Sequence, residues 1–366
     1  MQERNKNIDI LRAMALLLII VYHSWVVCGS QPIQWPVINM VIALGGEIGV
    51  TAFFALSGYG IYCSLHGMEK NGGISTVSFL VKRAVRIMPQ YYLCLLIVIL
   101  FSGGAVYLSW EHFTNIVTHV LFIHNFWPSS FGAINGVLWT MGITVQFYLI
   151  AVPLYKGMKK FGLWFWTGSI VATIVMKYVV YAFIIPRVGD PSVLNFIYGR
   201  QLFTALDNFV TGMAVAYFIM EKKKSMSKVA GIVVSIVSVI LLLIICRLGQ
   251  KYGIHSNNIS GYIWHSGVAV ALGFLMTGFS AVPINFKNIF SRAVLWIASY
   301  EYGIYLWHLV MFNNLIEKAP FIQQLIASGC RKVVFIIFMV LAIAVGILFT
   351  KLSESINWRT SKAYKN

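Results

Sequence analysis

The chain has 366 residues, 59% of them hydrophobic and only 11% charged, with a mean hydropathy of +0.78. That leaves too little polar surface to cover a soluble globule of this length, so the composition excludes a soluble enzyme and describes a membrane protein. The net charge of +17 does not point to nucleic acid, because the Lys and Arg residues collect in every second loop between apolar runs, which is a topology signal.

At the start, the charged stretch MQERNKN (1–7) precedes an apolar run of about 20 residues with no A-x-A cleavage site, so it reads as a retained first span and not as a signal peptide. Further apolar stretches place ten spans at about 8–28, 37–65, 88–107, 136–155, 163–185, 199–220, 229–247, 262–281, 292–314 and 332–352. They are too continuous for barrel strands. The expected fold is an all-α polytopic bundle in which residues 1–366 form one domain with no separate soluble part. Gly45 and Gly46 offer a place for the long second span to kink, and 113–127, apolar but interrupted, reads as a surface or re-entrant helix. With the N-terminus cytoplasmic, nineteen Lys and Arg fall on the cytoplasmic side against seven outside, which places both termini in the cytoplasm and the 108–135 loop outside. The five Cys show neither CxxC nor metal-ligand spacing, so no disulfide framework and no metal site is expected.

Several polar residues stand where a bilayer disfavours them. Arg12 lies just inside the cytoplasmic face, and His23, eleven positions on, lies roughly 16 Å further out. The same arithmetic brings Trp139, Asp207, His265 and His308 to a similar outer depth and Glu47, Gln146 and Glu301 nearer the middle, which suggests a shared interior cavity. Structural readings stand beside this one. His308 also suits an interfacial anchor, His265 beside Tyr262 and Trp264 reads as part of an interface belt, and Lys177 reads as snorkelling outward. In VKRAVRIMPQYY (81–92), Arg83 and Arg86 are either positive-inside anchors or paired guanidinium forks for a phosphorylated cytosolic ligand.

Taken in order, these stretches resemble the acyltransferase-3 family of integral membrane acyltransferases. DILRAMALLLIIVYHSW (9–25) is similar to that family's first span, in which an Arg precedes a His by eleven positions. FFALSGYGIY (53–62), KRAVRIMPQYY (82–92), LWTMGITVQFYLIAVPLY (138–155), FVTGMAVAYF (209–218) and SYEYGIYLWHL (299–309) resemble its later motifs. Two departures stand out: Thr144 and Val145 replace the family's acidic pair, and Thr51 stands where many relatives carry Asp. Glu47 or Glu301 is a candidate substitute for one of those carboxylates.

The resemblance implies acyl transfer, acetyl first, from cytosolic acyl-CoA to a hydroxyl of an extracytoplasmic glycan or lipid-linked saccharide, in the cell membrane of a bacterium. Acetyl-CoA would be a co-substrate and not a permanently bound cofactor. His23 would be the general base or a transient acyl carrier, and Arg12, Arg83 and Arg86 would bind the CoA phosphates. Transfer of a succinyl or other acyl group, a transporter for an anionic metabolite, and a non-catalytic scaffold are the other readings.

Overall fold

The computed structural model describes residues 5–102, 109–221 and 226–363, and the structure is helical with no strand among them. The last residues of the predicted third span, 103–107, and Arg4, Lys222, Lys223, Lys224 and Lys365 of the basic loops lie outside the described residues.

Helix α1 (Lys6–Val27) starts where the Asn5 side chain accepts from the Asn7 backbone N–H, with Asp9 in the first turn, and it ends before Gly29 at φ +92°. The predicted second span is two helices, α2 (Pro36–Ala43) and α3 (Gly45–Lys70), separated at Leu44. The break falls beside Gly45 and Gly46, where the sequence offers a kink, and puts Glu47 in the first turn of α3. Helix α4 (Thr76–Ile97) is capped by Ser75 and extended by a π turn at Val98–Ser102. It begins well before the predicted residue 88, and Arg83 and Arg86 project from it one turn apart.

The 113–127 stretch is short helix α5 (Trp110–Val120) and a 3₁₀ turn at His124–Phe126, followed by α6 (Pro128–Phe131). Next come α7 (Trp139–Phe161), α8 (Leu163–Val179) running through a π turn into α9 (Ile185–Val188), α10 (Pro191–Tyr198) and α11 (Leu206–Glu221). The remainder is α12 (Lys228–Tyr252), α13 (Ile259–Phe279), α14 (Ile289–Ser299), α15 (Glu301–Lys318), α16 (Pro320–Ala327) and α17 (Arg331–Ala363).

Seven of the described helical stretches are long and apolar enough to cross a bilayer: α1, α3, α4 with its π turn, α8 through α9, α12, α13 and the first 25 residues of α17. The chain is a multi-pass integral membrane protein. The other three predicted spans fall on α7, on α11 and on the α14–α15 pair, which breaks at Tyr300. Helix α11 has only 16 residues, and every side chain from Asp207 to Ala216 is buried. A helix enclosed by other helices is shaped by close packing and polar contacts more than by its affinity for lipid. At the crossing of α11 and α3, a β-carbon on Gly58 would overlap the Phe209 carbonyl, and one on Gly212 would overlap the Ala55 carbonyl. Small residues there let the two backbones touch, and the stacked rings of Phe147 and Phe209, 4.1 Å apart, fill the space beside them.

Gly49 performs the same service for α1, since a β-carbon there would lie 2.8 Å from the Ala15 carbonyl. This brings α1, with Arg12 and His23, directly against α3. Helix α15 is fixed on its other side by α17 and α4: Trp307 stacks on Phe349 at 3.8 Å, and the Tyr302 hydroxyl donates to the Ile87 carbonyl at 3.1 Å. The α5–α6 segment is tied to the segment before α11 by paired amides, Asn125 Nδ2 donating to Gln201 Oε1 and Gln201 Nε2 to the Asn125 carbonyl, both at 2.6 Å.

Candidate active site

His23 meets His308 across the α1–α15 contact, with ring centroids 4.9 Å apart and His23 Nδ1 3.1 Å from His308 Nε2. The hydrogen bonds fix which nitrogen carries which proton. His308 Nδ1 lies 2.6 Å from the Tyr305 carbonyl, which can only accept, so in the neutral ring Nδ1 is the donor and Nε2 the acceptor. His23 Nδ1 faces that acceptor and also the Ile19 carbonyl at 3.0 Å, so it carries the proton for both. His23 Nε2 is then left with its lone pair. A half-buried imidazole held in that tautomer has the form a general base needs.

A cavity between α1, α3, α4, α7 and α15 is lined by Arg12, Arg83, Arg86 and Glu301, together with Thr140, Thr144, Tyr148 and Tyr305. The three arginines predicted to act together therefore share one space. Arg83 turns inward over the rings of Phe79 and Tyr148, 5.1 and 5.9 Å from their centroids, and its Nε is buried with no partner among the described residues. This is not the pose of a side chain that only anchors the helix at a lipid headgroup. Arg86 is exposed at the same cavity. Arg12 bonds Glu301 Oε2 at 3.2 Å and the Leu56 carbonyl at 3.4 Å. His23 and His308 do not line this cavity themselves. Tyr305, whose carbonyl orients His308 and whose hydroxyl is 2.8 Å from Thr140 Oγ1, joins the two regions.

Glu47 and Asp207 belong to a second group. Glu47 Oε1 accepts from Arg200 Nη2 and lies 3.1 Å from His255 Nε2, while Glu47 Oε2 is 3.2 Å from His265 Nε2. Lys177 Nζ donates to His265 Nδ1 at 3.0 Å, which leaves the ring proton on Nε2, pointing at Glu47. Two expectations are corrected here. Lys177 is wholly buried and does not snorkel, and His265 is 6% exposed inside the bundle, not in an interface belt. The physical reason is charge balance: Lys177 is in electrostatic contact with Asp207, so a buried ammonium has both a carboxylate and an imidazole to interact with.

Asp207 accordingly serves this network and does not line the arginine cavity. Gln146 does not either; its amide donates to the Phe122 carbonyl and to Asn125 Oδ1, holding the α5–α6 segment. Trp139 packs between Phe131, stacked at 5.4 Å, and the Arg200 guanidinium, 5.1 Å from its ring centroid. Glu47, with both oxygens already accepting, is not a free base. The donors of Glu47, His255 and His265 lie within 4.8 Å of one another, as they would around a metal. Lys177 has however committed the His265 Nε2 lone pair to a proton, and Arg200 sits on the Glu47 oxygen.

Sequence reasoning missed Arg200, His255 and Tyr305. In the sequence Arg200 is one of the few basic residues on the outer side, and Tyr305 stands inside the SYEYGIYLWHL motif three residues from His308.

A family model described as an acyltransferase domain matches residues 5–351. The chain belongs to the acyltransferase-3 family. It is similar to "Peptidoglycan O-acetyltransferase OatA" of Listeria monocytogenes, 27% identical over 82% of this chain and 48% of the relative. It also resembles "Putative O-acetyltransferase SAR0937" of Staphylococcus aureus, 25% identical over 97% of this chain and 59% of the relative. The figures for "Putative peptidoglycan O-acetyltransferase YrhL" of Bacillus subtilis are 25%, 82% and 48%. This acyltransferase-3 chain thus spans about half the length of the curated relatives it matches. No solved structure matches it.

Proposed function

We propose that the protein is a membrane O-acetyltransferase that takes an acetyl group from cytosolic acetyl-CoA and places it on a hydroxyl of an extracytoplasmic glycan, with peptidoglycan the acceptor class favoured by the names of its relatives. The observation that carries this reading is the convergence of Arg12, Arg83 and Arg86 on one cavity that Tyr305 connects to the His23–His308 pair. Guanidinium groups match phosphate oxygens, so the arginines hold the nucleotide end of CoA while its thioester arm extends toward α1.

The chemistry needs one proton acceptor and one oxyanion stabiliser. His23 Nε2 removes the proton from the acceptor hydroxyl as its oxygen bonds to the thioester carbon, and the carbonyl electrons move onto oxygen. The tetrahedral species then collapses, the carbon–sulfur bond breaks, and the CoA thiolate takes the proton back from His23. Glu301 holds Arg12 and keeps its guanidinium from turning to the lipid. A transient acyl group on His23 is the variant of this reading in which the ring itself attacks.

The test uses purified protein in nanodiscs with acetyl-CoA labelled in the acetyl group, with and without peptidoglycan fragments. Label transferred to the fragments with stoichiometric CoA release supports the assignment. Binding of acetyl-CoA with no CoA release for any glycan refutes it, and selective turnover of succinyl-CoA would change the acyl group.

A further inference from the structure

We propose that Arg200 stabilises the oxyanion that forms when the acceptor hydroxyl adds to the acyl carbonyl beside His23, an inference that rests on the assignment of His23 as base. Arg200 lies in the segment between α10 and α11 and is only 8% exposed. Its guanidinium lies 3.5 Å from the Phe196 ring centroid and 5.1 Å from that of Trp139, and Nη2 is bonded to Glu47. The Glu47 carboxylate is in turn held by His255 and His265. The group is thus locked on several sides, yet its Nε–H is buried with no partner among the described residues.

A buried donor without an acceptor is costly, and a ligand oxygen would remove that cost. The direction of that ligand follows from the neighbours: the Glu47 that Arg200 holds is one residue past Gly46, which packs on the Tyr22 ring beside His23, and Val50, which lines the same small space as Arg200, packs in the cluster that holds Tyr305. A sugar is a poor fit, because the space that Arg200 shares with Glu47, Thr51, Asn208 and His265 is about the size of one water. That space borders the arginine cavity, since Val50 and Phe54 line both. A fixed cation on the side of the bundle where Tyr22 and His23 meet α3, with an unused N–H, is what preorganised stabilisation of a developing negative charge requires.

The test compares wild type, Arg200→Gln and Arg200→Lys as full chains in nanodiscs, measuring kcat at saturating acetyl-CoA and the binding of two probes. One probe is acetyl-CoA; the other is carboxymethyl-CoA, a thioether whose carboxylate places a negative charge where the acetyl group would lie. Arg200→Gln should lower kcat about 10²- to 10³-fold, leave acetyl-CoA affinity within about twofold, and weaken carboxymethyl-CoA at least about tenfold. Arg200→Lys should recover part of both losses, in kcat and in carboxymethyl-CoA affinity, because it keeps the charge. A kcat within about threefold of wild type, a loss confined to the acceptor KM, or unchanged carboxymethyl-CoA affinity would overturn the proposal. If Arg200→Gln does not fold, Arg200→Lys, which keeps a cation for Glu47, carries the test with an expected kcat loss of about tenfold. A His23→Ala variant with wild-type turnover would refute the base assignment separately, while the carboxymethyl-CoA comparison still reports on Arg200.

Discussion

His308→Phe separates the roles of the two histidines. Phe312 and Tyr305 lie beside the His308 ring at 5.7 and 5.8 Å, so a phenyl ring keeps aromatic neighbours, though it must shift away from the Tyr305 carbonyl that lies 2.6 Å from Nδ1. The variant removes one hydrogen bond from His23 Nδ1, the 3.1 Å contact to His308 Nε2, and leaves the 3.0 Å bond to the Ile19 carbonyl. His23 therefore keeps its tautomer and loses part of its orientation. A neutral hydrogen bond contributes about 0.5–1.5 kcal/mol, so kcat should fall roughly 2- to 13-fold. His23→Ala removes the lone pair itself and should cost about 10²- to 10⁴-fold. The assay is acetyl transfer by the purified variants at saturating acetyl-CoA, with CoA binding and the unfolding midpoint as controls. A loss in His308→Phe equal to that in His23→Ala would refute the assignment, because His308 would then carry protons and not merely orient the base.

Arg83→Ala and Arg86→Ala should each weaken acetyl-CoA binding by about 1.5–3 kcal/mol for every charged hydrogen bond lost, with Lys restoring only part, as read by calorimetry on folded protein. We propose that both termini are cytoplasmic and the 108–135 loop is outside; a Cys introduced there should react with an impermeant maleimide in intact cells, and labelling only after permeabilisation would overturn this topology. Gly212→Val should lower the unfolding midpoint sharply because its side chain would strike the Ala55 carbonyl, whereas Gly67→Ala, with nothing within 4 Å, should be nearly neutral. Burial, with the neighbouring His124, pushes His119 down to about 3, and burial pushes His124 down to about 4. Both are neutral in the fold and protonated on unfolding below pH 6.5. Stability should therefore fall as pH drops from about 6.5 toward 4, by up to about 1.4 kcal/mol per pH unit and ring, and His119→Gln should flatten that slope in thermal unfolding.

The apolar runs and the placement of the basic residues were enough to describe a helical membrane chain, because a helix facing lipid must be long and uniformly apolar. Arg12 and His23 stand out for the opposite reason, a charge and an ionisable ring that hydrocarbon penalises, while Arg83 and Arg86 stand out as a pair at a motif's spacing. The contacts that give these residues a chemistry were not legible. His23 and His308 are 285 positions apart, and Glu47 and His265 are 218 apart, so their meeting depends on which helix faces pack together. That in turn depends on local features such as the Gly58–Gly212 crossing and the break at Leu44, which mean hydropathy does not register. Lys177 shows the limit most directly, since an ammonium within an apolar run has two satisfactory outcomes: it can snorkel to the interface or pair inside the bundle. Only the tertiary structure, by bringing His265 and Asp207 to it, decided between them.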